Sequence, residues 1–251
     1  MFEFGFDQAA GLRLELQARD GSPALMPLAS PAQPSQGFEW LCRLAMSLAD
    51  AGQRVVVIDA CATERGASGG LLHALTDGSV ANLGAGHDNA GDWLVMPGAQ
   101  GLRSLVDTAA AGGADTALSR LFAPFAAGAL ILLYAPAQAL AGLLAGVSAR
   151  VLVPVLQQAQ ASIDAYGSLK WLHAAGLCPV LAPMEVGAQV LANVVDTAQR
   201  HLGLRAPVWA QADWARRVPD GALVRTDTPP FAPTRSPARG HVAGAASPLW
   251  S

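Results

Sequence analysis

The sequence predicts an α/β domain built on a mostly parallel, doubly wound sheet. Three observations carry that expectation. Short, continuous apolar runs, among them Arg54–Ala60, Ala129–Tyr134 and Val151–Leu156, have the composition of strands buried on both faces. Between them lie longer segments whose apolar residues recur every three or four positions, the period of a helix. The two kinds of segment alternate along the chain, and 251 residues suffice for one such domain.

Residues 1–22 stand ahead of the first strand. Asp7 can cap a short helix reaching Gln17, because its carboxylate can accept from N–H groups that a first turn leaves free. Leu12 and Leu16 share one face of that helix. Ala24–Ser30 reads as the first strand, although Pro27 within it has no N–H to donate. Gly37–Ala51 is helical in pattern, with Leu41, Leu44, Ala45 and Leu48 on one face and Gly52 just past its end. Arg54–Ala60 is a buried strand with a carboxylate, Asp59, near its end. Residues 61–92 read as loops with one short helix. Trp93–Met96 is a short strand, followed by helical stretches near Gly101–Ala110 and Thr116–Phe125. The strands Ala129–Tyr134 and Val151–Leu156 come next, then the helix Ala161–Ala175 and the strand Leu177–Ala182. The helix Gly187–Leu202 and a last short strand, Ala206–Ala210, complete the pattern. The chain thus divides into an N-terminal helix (1–22), an α/β domain (23–227) and a tail (228–251). The tail is rich in Pro, Ala, Gly and Ser, a composition that predicts disorder.

Composition excludes several classes of function. No apolar run reaches the roughly 18 residues of a membrane span, and no basic segment precedes an apolar stretch at the N-terminus as in a signal peptide. The three cysteines (Cys42, Cys61, Cys178) are widely spaced and odd in number, which fits unpaired thiols in a reducing compartment. The five histidines have no metal-ligand spacing with them, so no metal is expected. The net charge of −3 hides an asymmetry: residues 200–251 hold seven Arg and three Asp. That basic end reads as a solvated surface and tail, and no nucleic-acid partner is expected. Of sixteen basic residues only Lys170 is a lysine.

That single lysine matters for the place where a doubly wound sheet binds its ligand, the carboxyl ends of the strands. A phosphate loop needs glycines so that backbone N–H groups can wrap the phosphates. It also needs a Lys for the β/γ oxygens and a Ser or Thr for magnesium. The first strand-to-helix turn here runs from Ser30 to Phe38. It contains Pro31 and Pro34, which have no N–H, and it contains no lysine. Phe38 stands where the hydroxyl residue belongs. No nucleotide cofactor is expected. Gly66-Ala67-Ser68-Gly69-Gly70 matches the G-x-S-x-G elbow of serine hydrolases, but that elbow joins a strand directly to a helix and Ser68 is several residues past Asp59. A Gly-rich loop is the better reading. Gly84-Ala85-Gly86 begins like a dinucleotide fingerprint but no strand precedes it. Asp59 is expected to cap the turn that follows it, and Trp171 and His173 to pack or lie at the surface.

Three stretches together resemble one family. Ser47–Ala60 resembles the region of MinD/ParA ATPases in which a helix, a glycine turn and a strand lead to an Ile-Asp-x-Asp end. Ile163–Lys170 is similar to the T-D-A-Y-x-x-I-K helix of MinD and its flagellar relative FlhG. Asp7-Gln8-Ala9-Ala10-Gly11-Leu12-Arg13 is similar to the N-terminal D-Q-A-x-x-L-R element of FlhG. In that family the element activates the signal-recognition-type GTPase FlhF, and FlhG proteins limit flagellar number and placement.

The resemblance implies a sheet of the MinD/ParA P-loop-NTPase type with a degenerate P-loop. The family's two loop lysines fall on Ala32 and Gly37, its second acidic motif on Tyr134, the second Asp of its Ile-Asp-x-Asp end on Cys61, and its base-reading Asn on Ala182. It therefore implies a regulator that does not hydrolyse ATP. Its partner would be FlhF, with flagellar basal-body or regulatory proteins as further partners. Asp7, Gln8, Ala9, Leu12 and Arg13 would form the partner-binding helix. Asp7 would set its start, Leu12 would anchor it, Gln8 would order the attacking water of the GTPase, and Arg13 would meet phosphate or a carboxylate. The family's C-terminal amphipathic membrane helix is not evident in the Pro-rich tail, so stable membrane insertion is not expected. The protein would be cytoplasmic, recruited to the flagellar pole through partners. The alternative is a MinD-like scaffold in another envelope system such as cellulose synthesis, which leaves residues 7–13 unexplained.

Overall fold

The computed structural model describes residues 21–64, 69–77, 93–158 and 160–224. The expected helix at residues 7–17, with Asp7, Gln8, Ala9, Leu12 and Arg13, lies outside the described residues, as do Ser68, the Gly84–Gly86 stretch and the tail from residue 228.

The elements, in chain order, are β1 (Ala24–Ser30), α1 (Phe38–Asp50), β2 (Arg54–Asp59), α2 (Leu71–Asp77), β3 (Trp93–Pro97), α3 (Ala99–Gly112), α4 (Ala114–Phe122) and β4 (Ala129–Pro136). They continue with α5 (Ala137–Leu143), β5 (Arg150–Val155), α6 (Ala161–Ala174), β6 (Cys178–Pro183), α7 (Ala188–Leu202), α8 (Trp214–Gly221) and β7 (Leu223–Val224). The strands form one sheet in the order β3-β2-β4-β1-β5-β6, all parallel, with β7 added antiparallel to β1. The predicted mostly parallel, doubly wound sheet is therefore the observed one.

Continuous apolar strands place side chains on both faces of the sheet, and each face has its own core. On one face Leu25, Val56, Ile58, Ile131, Leu133 and Val153 are fully buried against leucines of α3, α5 and α6. On the other, Met26, Leu28, Val57, Leu132 and Tyr134 meet Trp40, Leu44 and Leu48 of α1 and Trp214 and Val218 of α8. Each such side chain contributes roughly 1.5–3 kcal/mol by leaving water.

Pro27 lies inside the central strand β1. Its effect is confined to one side: β1 pairs with β4 at every position from Ala24 to Ser30, but with β5 only at Leu28, opposite Leu152. The ends of β1 that β5 leaves open at Ala24 and Leu25 are taken up by β7. Two further departures from the sequence pattern are local. Ala206–Ala210 is not a strand; it forms a single parallel bridge, Val208 to Leu181, in which the Leu181 N–H donates to Pro207 O at 2.9 Å and the Trp209 N–H to Leu181 O at 2.8 Å. The helices α5 and α8 also follow no element read from the pattern.

Past β2 the chain is tied back by one carboxylate. Glu64 Oε1 accepts from the N–H of Leu72 at 3.1 Å and from the N–H of Gly101 at 3.3 Å. It thereby holds the first turns of α2 and α3 together, where free N–H groups favour a negative charge.

Candidate functional site

The carboxyl ends of β1, β2 and β4 are adjacent in the sheet, so the turn after β1, the turn after β2 and the end of β4 meet at one place. This is the position a doubly wound sheet uses for ligands.

The turn after β1 is short of free donors. Pro31 and Pro34 have no N–H. Pro34–Gly37 forms a 3-10 turn that leads straight into α1, with the Gln36 N–H donating to Gln33 O at 3.0 Å. The N–H of Ala32 donates to Asp164 Oδ2 at 3.0 Å. Asp164 is in the first turn of α6, where it also accepts from Gln160 Nε2 at 3.2 Å. A carboxylate of the chain itself thus lies against Ala32, one of the two turn residues that resemblance aligned with a lysine.

Tyr134 closes the same space from below. Its position in β4 pairs with Asp59 of β2 and its ring is fully buried. The hydroxyl donates to the carbonyl of Pro34 at 2.7 Å. The ring faces Phe38, with centroids 6.1 Å apart. Gly37 packs directly beneath the hydroxyl, so close that a Cβ on residue 37 would collide with Tyr134 Oη and touch Pro31 Cδ at 3.0 Å. The phenol sits above its ordinary pKa of 10.0, chiefly through burial and then through the neighbouring Cys61 and Asp59.

Asp59 turns inward on its own loop. Its Oδ1 accepts the Cys61 N–H at 3.0 Å, and its carbonyl accepts from Gly98 at 2.9 Å. This is the capping role expected for it. Cys61 is half-buried with its thiol near Ser30 and Asp59. Burial pushes the thiol above its ordinary 9.0, a hydrogen bond with Ser30 pulls it back, and the Asp59 charge pushes it up again. Ala182 is fully buried at the end of β6, and its carbonyl accepts Trp40 Nε1–H at 3.1 Å.

The structure thus brings Ala32, Gly37, Asp59, Cys61 and Tyr134 to one place and fills that place with the chain's own groups. Sequence reading did not foresee the Asp164 contact, which spans 132 residues of chain, nor the bond from Tyr134 to Pro34. Lys170 lies exposed on α6, and Trp171 and His173 beside it are exposed too. Among the described residues no group of three or more His, Cys, Asp or Glu could hold a metal ion, and no helix is long and apolar enough to cross a membrane.

No family model and no curated protein matches the chain. Among solved structures the chain is similar to a complex of a Cyanothece McdA variant with ATP, at 13% identity, covering 81% of this chain and 89% of that one with a TM-score of 0.49. It is similar to a ParA family ATPase from Chlorobium tepidum at 11% identity, covering 76% and 83% with a TM-score of 0.43. A third similar structure is a partition protein, at 14% identity, covering 81% and 66% with a TM-score of 0.40.

Proposed function

We propose that this chain is a non-hydrolysing, FlhG-like regulator: the α/β domain serves as a scaffold, and the Asp7–Arg13 helix activates the signal-recognition-type GTPase FlhF. The observation that carries the non-hydrolysing part is the bond from Tyr134 Oη to Pro34 O across Gly37. A phosphate in that turn would have to displace a buried phenol. It would also have to face the Asp164 carboxylate that already holds the Ala32 N–H, and like charges at such distance repel. No lysine stands in the turn to offset that repulsion, since Lys170 is exposed on α6.

The activating part rests on the heptad Asp7–Arg13. A glutamine presented on a capped helix can order an attacking water or the loop that holds it. In this proposal Leu12 would give that helix an apolar anchor, and Asp7 would stabilise its first turn. In this reading, loss of ATP chemistry removes the switch and leaves an activator that needs no nucleotide of its own.

The experiment measures GTP turnover by FlhF from the same genome, alone and with this chain, with no ATP added. Wild type should stimulate turnover and Gln8→Ala should not. Absence of stimulation at saturating protein would sink the activator. Calorimetric binding of MgATP with measurable turnover would sink the non-hydrolysing assignment separately.

A further inference from the structure

At the opposite end of the sheet the chemistry reverses. Arg150 is the first residue of β5, and Arg216 and Arg217 lie on the outer side of α8. The three side chains, with Trp209, Asp220 and Gly221, line a cavity of about 360 Å³. That volume falls in the range of small-ligand sites. Trp209 is its wall and is almost fully buried. Gly221 is its floor: a Cβ there would stand 2.6 Å from Trp209 Cη2 and 3.4 Å from Arg150 Cδ, so only glycine leaves the wall and the arginine stem where they are.

The charges are arranged rather than scattered. Asp213 Oδ1 lies 3.2 Å from Arg216 Nη2 and its Oδ2 lies 3.6 Å from Arg217 Nε, so one carboxylate orients two guanidinium groups side by side. Among the described residues the Arg150 side chain makes no hydrogen bond or ion pair, while its backbone lies in the β5–β6 ladder. Its five donors are therefore presented to the cavity and to water. Asp220 is the acidic group in the lining, so the lining carries three positive charges and one negative. Planar guanidinium forks match phosphate oxygens two at a time.

We propose that this cavity binds a small soluble anion carrying one or more phosphate groups. Arg150 and Arg217 would grip the oxygens and Trp209 would form the wall. The site is independent of the loop after β1 and of the FlhF reading. A free phosphate compound and the phosphates of a nucleic acid share this chemistry; the volume of about 360 Å³, that of a small-ligand site, favours the former.

The test titrates pyrophosphate into the full chain by calorimetry and follows tryptophan fluorescence in parallel. Wild type should bind, and Arg150→Ala and Arg217→Ala should each weaken binding about tenfold or more, the size of a lost charge-assisted contact. Arg205→Ala is the charge control. Arg205 also lies in the basic C-terminal part, but its Nε is held by Gln199 Oε1 at 3.1 Å, away from the cavity. All three replaced arginines are on the surface, and a matched thermal melt checks that each variant is folded. Equal weakening by Arg205→Ala would overturn the proposal, because only net charge would then matter. So would the absence of pyrophosphate binding, or tight binding of a mixed-sequence DNA duplex with no measurable affinity for pyrophosphate.

Discussion

The two ends of this sheet show opposite solutions to the same geometry. At the carboxyl end, where a doubly wound fold leaves a crevice, the polar groups are turned on one another: Tyr134 on Pro34, Asp164 on Ala32, Asp59 on Cys61. At the amino end, where a fold of this kind has no ready crevice, the β5–β1 ladder is cut to one position and α8 and β7 fill the gap. That packing leaves a cavity edged by three guanidinium groups, two of them oriented by Asp213. A crevice supplied by topology is lost when side chains fill it. One that topology does not supply can arise from how the last elements pack.

The largest break in the comparison should come from Trp214, because α8 connects the two ends. Its first residue, Trp214, stacks edge-on against Trp40 with centroids 5.8 Å apart and donates Nε1–H to Trp209 O at 3.1 Å. Its last residue, Gly221, floors the amino-end cavity. Trp214→Ala should cost about 3–5 kcal/mol of unfolding free energy from the emptied volume. It should also abolish pyrophosphate binding while the far-UV spectrum stays native. Urea melts and calorimetry check both. Binding that survives at wild-type strength would show that the two ends are independent.

A smaller effect, restricted to the carboxyl end, is expected at Gly37. Its φ of −91° is one that alanine adopts freely, so the only obstacle to a Cβ is the packing against Tyr134 and Pro31. Gly37→Ala should destabilise by about 1–3 kcal/mol, the usual cost of overpacking. Pyrophosphate binding should be unchanged. In the Tyr134→Phe background the cost should fall, since the colliding oxygen is gone. An undiminished cost would assign the clash to Pro31 instead.

The sheet was legible in the sequence because a strand buried on both faces needs only an apolar run, and a helix against it needs only a period. Pro27 did not spoil β1, since its missing donor weakens one ladder and leaves the other intact. The helix α5 was not legible for the opposite reason. Ala137–Leu143 continues the apolar composition of β4, so no change of period marks where the strand ends and the helix begins, and Pro136 alone makes the break. The helix α8 was hidden by its charges: Trp214-Ala215-Arg216-Arg217-Val218-Pro219-Asp220-Gly221 is short and holds a proline, yet it buries Trp214 and Val218 one turn apart. In the candidate site, the absent lysine and the two prolines could be read directly. What occupies the space instead could not, because Asp164 and Tyr134 reach it from segments 132 and 100 residues away in the chain. The amino-end cavity has the same cause: Arg150 and Arg217 are unrelated in sequence and meet only because β5 begins where α8 ends.

The finest distinction between the two ends is their response to alkali. Burial raises the Cys61 thiol above 9.0 and the Tyr134 phenol above 10.0, so the folded state keeps both protonated at a pH where the unfolded chain has begun to release them. For groups raised in this way the stabilisation is complete below the unfolded values and is lost as pH climbs through them. The urea midpoint should therefore hold steady from neutral pH up to that range and then decline. Tyr134→Phe should lower the midpoint at neutral pH by the equivalent of about 1 kcal/mol, because Pro34 O loses its donor. It should also flatten the decline above the ordinary tyrosine range, because the group that titrates is gone. Cys61→Ser should remove the earlier part of the decline and leave the later part. If neither variant alters the slope, the carboxyl end is open to water in solution, and the contrast between a sealed crevice and an open cavity fails.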